Sequence, residues 1–168
     1  VGGAVEENED LLNEVNNLVE YPTALVGEFS RDYLRLPKEV LVTPMREHQR
    51  YFPVVGPGGG LLPKFIAVKN GTEDHLDIVR AGNEKVLRAR LADANFFYEE
   101  DLKEPLAEKV PALKKVVFQE NLGTIYDKIE RLGVLAEFLG KVLNAGEQEL
   151  KHVRRAAYLA KADLVTNM

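Results

Sequence analysis

The longest helical pattern in the chain runs through residues 79–101. Apolar residues recur there at three- and four-residue steps and gather on one side of a helix: Val79, Val86, Leu87, Leu91, Ala94 and Phe97. No proline interrupts the run, and its Leu, Ala, Arg and Lys residues favour the helix. The pattern predicts one long amphipathic helix that begins near residues 73–77 and turns this apolar side to a core.

The chain before this helix mixes helical and extended patterns. Two short helices are predicted, one over 6–17 and one that opens at Pro37 and is strained by Pro44. Three strands are predicted over 23–29, 51–55 and 61–68. Because the last two strands flank the glycine-rich run 56–60, they are expected to form an antiparallel hairpin.

From Leu102 onward the pattern is helical throughout, and no further strand is expected. A connector over 106–115 leads into helices over 122–142 and from Glu147 to about Leu164. The change from mixed to helical character predicts an α+β fold with two domains, residues 1–110 and 111–168. The first is a helix and antiparallel-strand domain, and the second is all-helical.

Composition narrows the range of functions. The formal net charge is −5, from 22 Lys and Arg against 27 Asp and Glu, so nucleic acid could be held only by a local basic patch. There is no cysteine, and no apolar run approaches the roughly 20 residues of a membrane-spanning helix. A cytoplasmic protein without membrane contact is expected. The first residue is Val1, and Met168 falls within a helical pattern, which suggests a piece of a longer protein.

Three groups of basic residues are candidates for phosphate contact, because Arg and Lys match phosphate oxygens. Lys85, Arg88 and Arg90 form a basic ridge on the long helix. Arg46 and Arg50 adjoin the aromatic pair Tyr51–Phe52, a composition that suits base stacking. Lys151, Arg154 and Arg155 follow i, i+3, i+4 spacing on the last helix. For each group, a solvated charged face or a helix-end cation remains the alternative interpretation.

No catalytic or metal-binding constellation emerges from the residues. His48, His75 and His152 are widely separated and lack ligand spacing. The glycine run lacks the Gly-Lys-Ser/Thr ending of a phosphate loop. Asp93 is expected to pair with Arg90 or to cap the helix. We therefore predict no catalytic residue and no metal ligand in this chain.

The amino-acid sequence of the long helix is more informative than its hydrophobic pattern. Residues 82–101 read GNEKVLRARLADANFFYEED. This closely resembles the GNEKVxRxRLxDAxFFxxxD signature of the β subunits of two-subunit bacterial glycyl-tRNA synthetases. Three further stretches resemble the same family: MREHQRYFPV at 45–54, VFQENLGTIYDK at 117–128 and KADLVTNM at 161–168.

The resemblance implies an internal segment of the β subunit that supports recognition of tRNA(Gly) and assembly with the α subunit. ATP, Mg²⁺ and glycine chemistry would belong to the α subunit, and this segment would bind no cofactor. Residues 1–110 would correspond to a domain like the B3/B4 editing-type module of phenylalanyl-tRNA synthetase, and 111–168 to the start of an HD-like domain.

Three other interpretations compete with this one. The chain could be an HD-type metal phosphohydrolase, a tRNA-editing module or a purely structural interaction module. In an HD alignment Lys128 stands where the first His is needed, and Ala162–Asp163 replaces the His-Asp pair. Phosphohydrolase activity is therefore not expected.

Overall fold

In the computed structural model, which describes residues 2–168, the chain divides into two units. One runs to Phe96 and the other from Phe97 to Met168. Both helices and antiparallel strands are present, which confirms the α+β class. The domain boundary expected between residues 110 and 111 stays a prediction.

The first unit is built around a four-stranded antiparallel sheet. Its strands are β1 (Ala4–Val5), β2 (Pro22–Glu28), β3 (Phe52–Val55) and β4 (Leu61–Asn70), in the spatial order β1-β3-β4-β2. The predicted hairpin is confirmed, because β3 and β4 pair antiparallel across the glycine-rich turn. Strand β2 pairs with β4 along its whole length, from Pro22 opposite Asn70 to Glu28 opposite Lys64.

Phe65 of β4 lies at the centre of this unit and is fully buried. The Tyr51 ring stacks on it with 4.6 Å between centroids. On β2, a Cβ atom at Gly27 would lie 2.2 Å from the Phe65 ring, far inside van der Waals contact. Gly27 therefore has to lack a side chain for the phenyl ring to pack against β2.

Two short helices flank the sheet. Helix α1 (Glu9–Leu18) starts after Asn8, whose Oδ1 accepts a hydrogen bond from the Leu11 amide at 2.9 Å. Helix α2 (Lys38–Thr43) continues into a π-helical turn over Pro44–His48. Because Pro44 lacks an amide hydrogen, the α-helical bonding pattern cannot continue through it. This agrees with the strain predicted at that residue.

Helix α3 (Leu76–Leu102) is the long helix predicted from the sequence, and it crosses the division between the two units. Leu87 and Leu91 are fully buried, as expected. Val86 and Phe97 were also predicted to face inward, and this is wrong, since they are 44% and 40% exposed. Val86 lies about 100° around the helix from Leu87, outside the narrow stripe that packs.

The second unit contains α4 (Leu106–Lys109), a 3₁₀ turn over Val110–Lys115, α5 (Ile125–Val142) and α6 (Glu147–Leu159). Its core consists of Val110, Leu113, Ile125, Ile129 and Ala162. The expectation of no strand after Leu102 is wrong. Strand β5 (Val117–Gln119) pairs antiparallel with β6 (Gly123–Thr124) just before α5 begins. All three residues of β5 are exposed, so the strand leaves no hydrophobic alternation in the sequence.

Candidate functional site

The basic residues of α3 are solvent-exposed, but they do not form a single ridge. Lys85 and Arg88 are three positions apart and lie on the same side of the helix. Arg90 is two positions beyond Arg88, which places it about 160° away around the axis. Among residues 2–168, no carboxylate lies at salt-bridge distance from Lys85, Arg88 or Arg90. The helix thus presents a Lys85–Arg88 pair on one flank and Arg90 on another.

Other polar residues of the same signature hold α3 in place. The Glu84 Oε1 atom accepts a hydrogen bond from the Glu28 amide at 3.0 Å, at the end of β2. Asn95 Oδ1 accepts one from Arg35 Nη2 at 2.9 Å. The ion pair expected between Asp93 and Arg90 is not formed within the described part of the chain. The signature therefore divides into residues that bind the first unit and cations that remain available.

Arg46 and Arg50 are occupied by carboxylates of their own unit. Arg46 Nη2 lies 2.7 Å from Glu6, which also accepts a hydrogen bond from Lys38 at 2.6 Å. Lys38, followed by Arg46, lowers the pKa of Glu6 despite the opposing effect of its partial burial. Arg50 Nε lies 2.8 Å from Glu14 Oε1. An RNA phosphate at either arginine would have to compete with a carboxylate already in contact.

The aromatic residues beside these arginines belong to the core. Tyr51 and Phe52 are each only 6% exposed, and Phe52 packs with Leu11 and Val15 of α1. The base-stacking role suggested by this composition is therefore wrong for these two rings, because neither offers a free face. A short apolar run such as YFPV is typical of a buried strand, and this was the signal for their packing.

The basic strip on α6 is mostly paired as well. Arg154 donates two parallel hydrogen bonds to Glu137 of α5, both at 2.8 Å, and Lys141 lies 2.8 Å from the same carboxylate. These bonds, from Arg154 first, lower the pKa of Glu137 to about 2. Lys151 lies 3.3 Å from Glu147, one turn earlier on α6. Arg155 is exposed, and no carboxylate in the described residues pairs with it.

The carboxylate of Asp101 is a polar centre that sequence reasoning missed. It accepts hydrogen bonds from the backbone amides of Asn167 and Met168, both at 2.9 Å, and from Asn167 Nδ2 at 2.8 Å. Lys109 Nζ lies 3.2 Å away. Partial burial alone would raise the pKa of Asp101, but these bonds outweigh it and lower the pKa to about 2. Asp101 is the last residue of the GNEKV signature and Asn167 lies in the last motif, 66 residues further along the chain.

The residues weighed for metal chemistry remain apart. Among residues 2–168, no three His, Cys, Asp or Glu side chains come together as a metal site would require. Lys128, at the position of the first HD histidine, lies over the Phe118 ring at 3.8 Å from its centroid. Asp163 is exposed on a second 3₁₀ turn, Ala162–Val165, which follows α6. No helix in the described residues is long and apolar enough to span a membrane.

Comparison with known proteins identifies the family. The family model described as glycyl-tRNA synthetase beta subunit matches residues 1–168. The chain belongs to this family. It is 64% identical over 167 residues to the glycine–tRNA ligase beta subunit of Desulforamulus reducens. The matched region covers 99% of the chain and 24% of that relative.

Two other relatives give the same picture. The beta subunit of Desulforudis audaxviator is 57% identical over 166 residues, with 99% of the chain and 24% of the relative covered. That of Bacillus subtilis is 54% identical over 165 residues, with 98% and 24% covered. The chain thus spans about a quarter of the length of these relatives. The family resemblance inferred from the sequence motifs is confirmed.

Proposed function

We propose that this chain is a non-catalytic part of a glycyl-tRNA synthetase β subunit that supports tRNA(Gly) recognition and assembly with the α subunit. Family membership is its first support. In this proposal ATP and Mg²⁺ act through the α subunit, and the complex works in the cytoplasm. Residues 1–110 contribute a B3/B4-like domain, and residues 111–168 begin an HD-like domain.

The free cations on α3 carry the RNA part of this proposal. Of the eight candidate basic residues, Arg46, Arg50, Lys151 and Arg154 already contact carboxylates. Lys85 and Arg88 have no such partner among residues 2–168, lie three positions apart and are exposed. A phosphate can approach them without displacing an intramolecular ion pair, and each contact releases condensed counterions. Arg90 and Arg155 are also exposed and have no carboxylate partner among residues 2–168, but each is a single cation and not part of a pair.

Double substitution of Lys85 and Arg88 by alanine tests this assignment. The variant is made in the full-length β subunit, assembled with α, and its tRNA(Gly) affinity is measured across a series of salt concentrations. Loss of two phosphate contacts should weaken binding and reduce the slope of log affinity against log salt by about 2. Lys103→Ala with Lys141→Ala is the matched control. It also removes two exposed positive charges, but from lysines paired with Glu100 and Glu137.

Two results would contradict the proposal in different ways. Equal salt slopes for the test and control variants would remove Lys85 and Arg88 from the RNA-binding surface. A loss of α-subunit association, with tRNA affinity of the assembled fraction unchanged, would instead make this side of α3 a protein interface. Hydrolysis of mischarged tRNA by residues 1–168 alone would contradict the non-catalytic role of this chain.

A further inference from the structure

The C-terminal half of α5 exposes an unusual amount of apolar surface. Five large apolar side chains there, and Leu143 directly after the helix, are between 55% and 77% exposed; the five are Val134, Leu135, Phe138, Leu139 and Val142. They will be called the α5 apolar face. Single exposed apolar side chains are ordinary, but a contiguous group on the order of several hundred Å² marks an interaction surface.

The other side of the same helix is already occupied by α6. A Cβ atom at Gly140 would lie 2.8 Å from the Leu150 side chain, so the two helices approach closely there. Glu137 faces Arg154 of α6 through two hydrogen bonds. The α5 apolar face therefore remains uncovered because α6 packs elsewhere on the helix.

The α5 apolar face carries no unpaired charge. Between residues 134 and 143 the only ionisable side chains are Glu137 and Lys141, and these pair with each other at 2.8 Å. Separate proteins that associate after folding use charged rims to steer their encounter, and their interfaces are less apolar than a protein core. A face without available charge is typical of a surface that is permanently covered, and a core completed by the same chain is one such case.

We propose that a helix from another segment of the same β subunit, outside residues 1–168, packs on the α5 apolar face. The relatives offer the required length, because this chain covers only 24% of them. The apolar residues recur at three- and four-residue steps over 134–143, about 13 Å of helix at 1.5 Å per residue. Apolar ridges with this spacing pack into the grooves of a second helix, and here the contact would extend over two to three turns.

Photo-crosslinking from the centre of the face tests this proposal. Phe138 is replaced by p-benzoylphenylalanine in the full-length β subunit, produced without the α subunit and isolated as a monomer. The expected product is an intramolecular crosslink to a β-subunit peptide outside residues 1–168. The matched control carries the crosslinker at Glu130, which is exposed elsewhere on α5 and should not give that product. Crosslinks confined to residues 1–168 in the monomer would overturn the proposal. The same variant is also irradiated in the complex with the α subunit, where a crosslink to α or to a second β copy would likewise overturn it.

A chemical-accessibility measurement provides an independent test with a milder substitution. Leu139→Cys and Glu130→Cys are compared for maleimide labelling in a full-length β subunit whose other cysteines have been replaced; residues 1–168 contain none. If the face is covered within the β subunit, Leu139→Cys should react at least about tenfold more slowly, because a packed thiol reacts only through local opening. Equal rates in the β subunit alone would refute intramolecular coverage, whether or not addition of α slows labelling. Neither test involves Lys85 or Arg88, so its result is separate from that of the tRNA experiment.

Discussion

Replacement of Asp101 by asparagine should destabilise the second unit at neutral pH. The carboxylate accepts three hydrogen bonds from Asn167 and Met168 and faces Lys109, and it is only 15% exposed. Asparagine keeps the shape but replaces one accepting oxygen with a donor, which would face donors already in place. Its neutral amide also loses the attraction to Lys109.

The size of the effect follows from the pKa of Asp101. That pKa is lowered from 3.8 to about 2 in the folded chain. At 1.36 kcal/mol per unit, and after a small reduction for solvent exposure, the interaction contributes about 2 kcal/mol to the free energy of unfolding. Loss of hydrogen bonds to a charged group gives a similar range, about 1.5–3 kcal/mol.

The pH dependence has a definite sign. Because the folded pKa of Asp101 is depressed, its stabilisation is complete above the unfolded pKa of 3.8 and disappears as pH falls towards about 2. The difference between wild type and Asp101→Asn should therefore be largest at pH 7 and fall to about half by pH 3.

A urea titration read by hydrogen exchange in peptides of residues 97–168 measures the unfolding free energy of this unit alone. Asp163→Asn is the matched control, since Asp163 is exposed and its side chain makes no hydrogen bond within residues 2–168. The control should change stability by less than about 0.5 kcal/mol. The reasoning is refuted if Asp101→Asn and the control have the same unfolding free energy at pH 7. It is also refuted if the difference between Asp101→Asn and wild type is as large at pH 3 as at pH 7.

Two other perturbations have defined outcomes. Arg154→Ala should raise the pKa of Glu137 from about 2 towards its ordinary value, because the two hydrogen bonds from Arg154 are the largest cause of the lowered pKa. Carboxyl-detected NMR titration measures this, and an unchanged pKa would contradict it. Gly27→Ala should destabilise the first unit by about 1–3 kcal/mol through overlap with the Phe65 ring, whereas Gly82→Ala should be neutral or stabilising, because its Cβ meets nothing within 4 Å on an exposed helix. Urea unfolding of both glycine variants checks the contrast, and equal effects would disprove it.

The sequence contained most of the information for the first unit because its signals are local. The glycine run 56–60 between two apolar stretches marked the hairpin, and uninterrupted helix formers marked α3. Strand β5 could not be found in this way, because all its residues are exposed and it has only three of them. Val86 was misplaced because a helical pattern shows which residues share a side, but not how wide a stripe the neighbouring elements cover.

The state of the candidate cations depends largely on long-range contacts. Glu6 lies 40 residues before Arg46, and Glu137 lies 17 residues before Arg154, so neither pairing can be deduced from composition. The pairing of Lys151 with Glu147 is different, because their i, i+4 spacing on a helix predicts it from the sequence. Lys85 and Arg88 were visible as a basic pair, but only the folded arrangement shows that nearby carboxylates, such as Glu84, are directed elsewhere.

The glycine-rich turn between β3 and β4 also has a practical use. A side chain added at Gly58, Gly59 or Gly60 would meet no atom within 4 Å, and the turn is closed by a hydrogen bond from the Gly56 amide to the Gly60 carbonyl. Lengthening such a loop costs only about 0.6 kcal/mol for each doubling. A short epitope or fluorophore-acceptor peptide inserted at this point should therefore label this part of the protein while leaving the sheet intact.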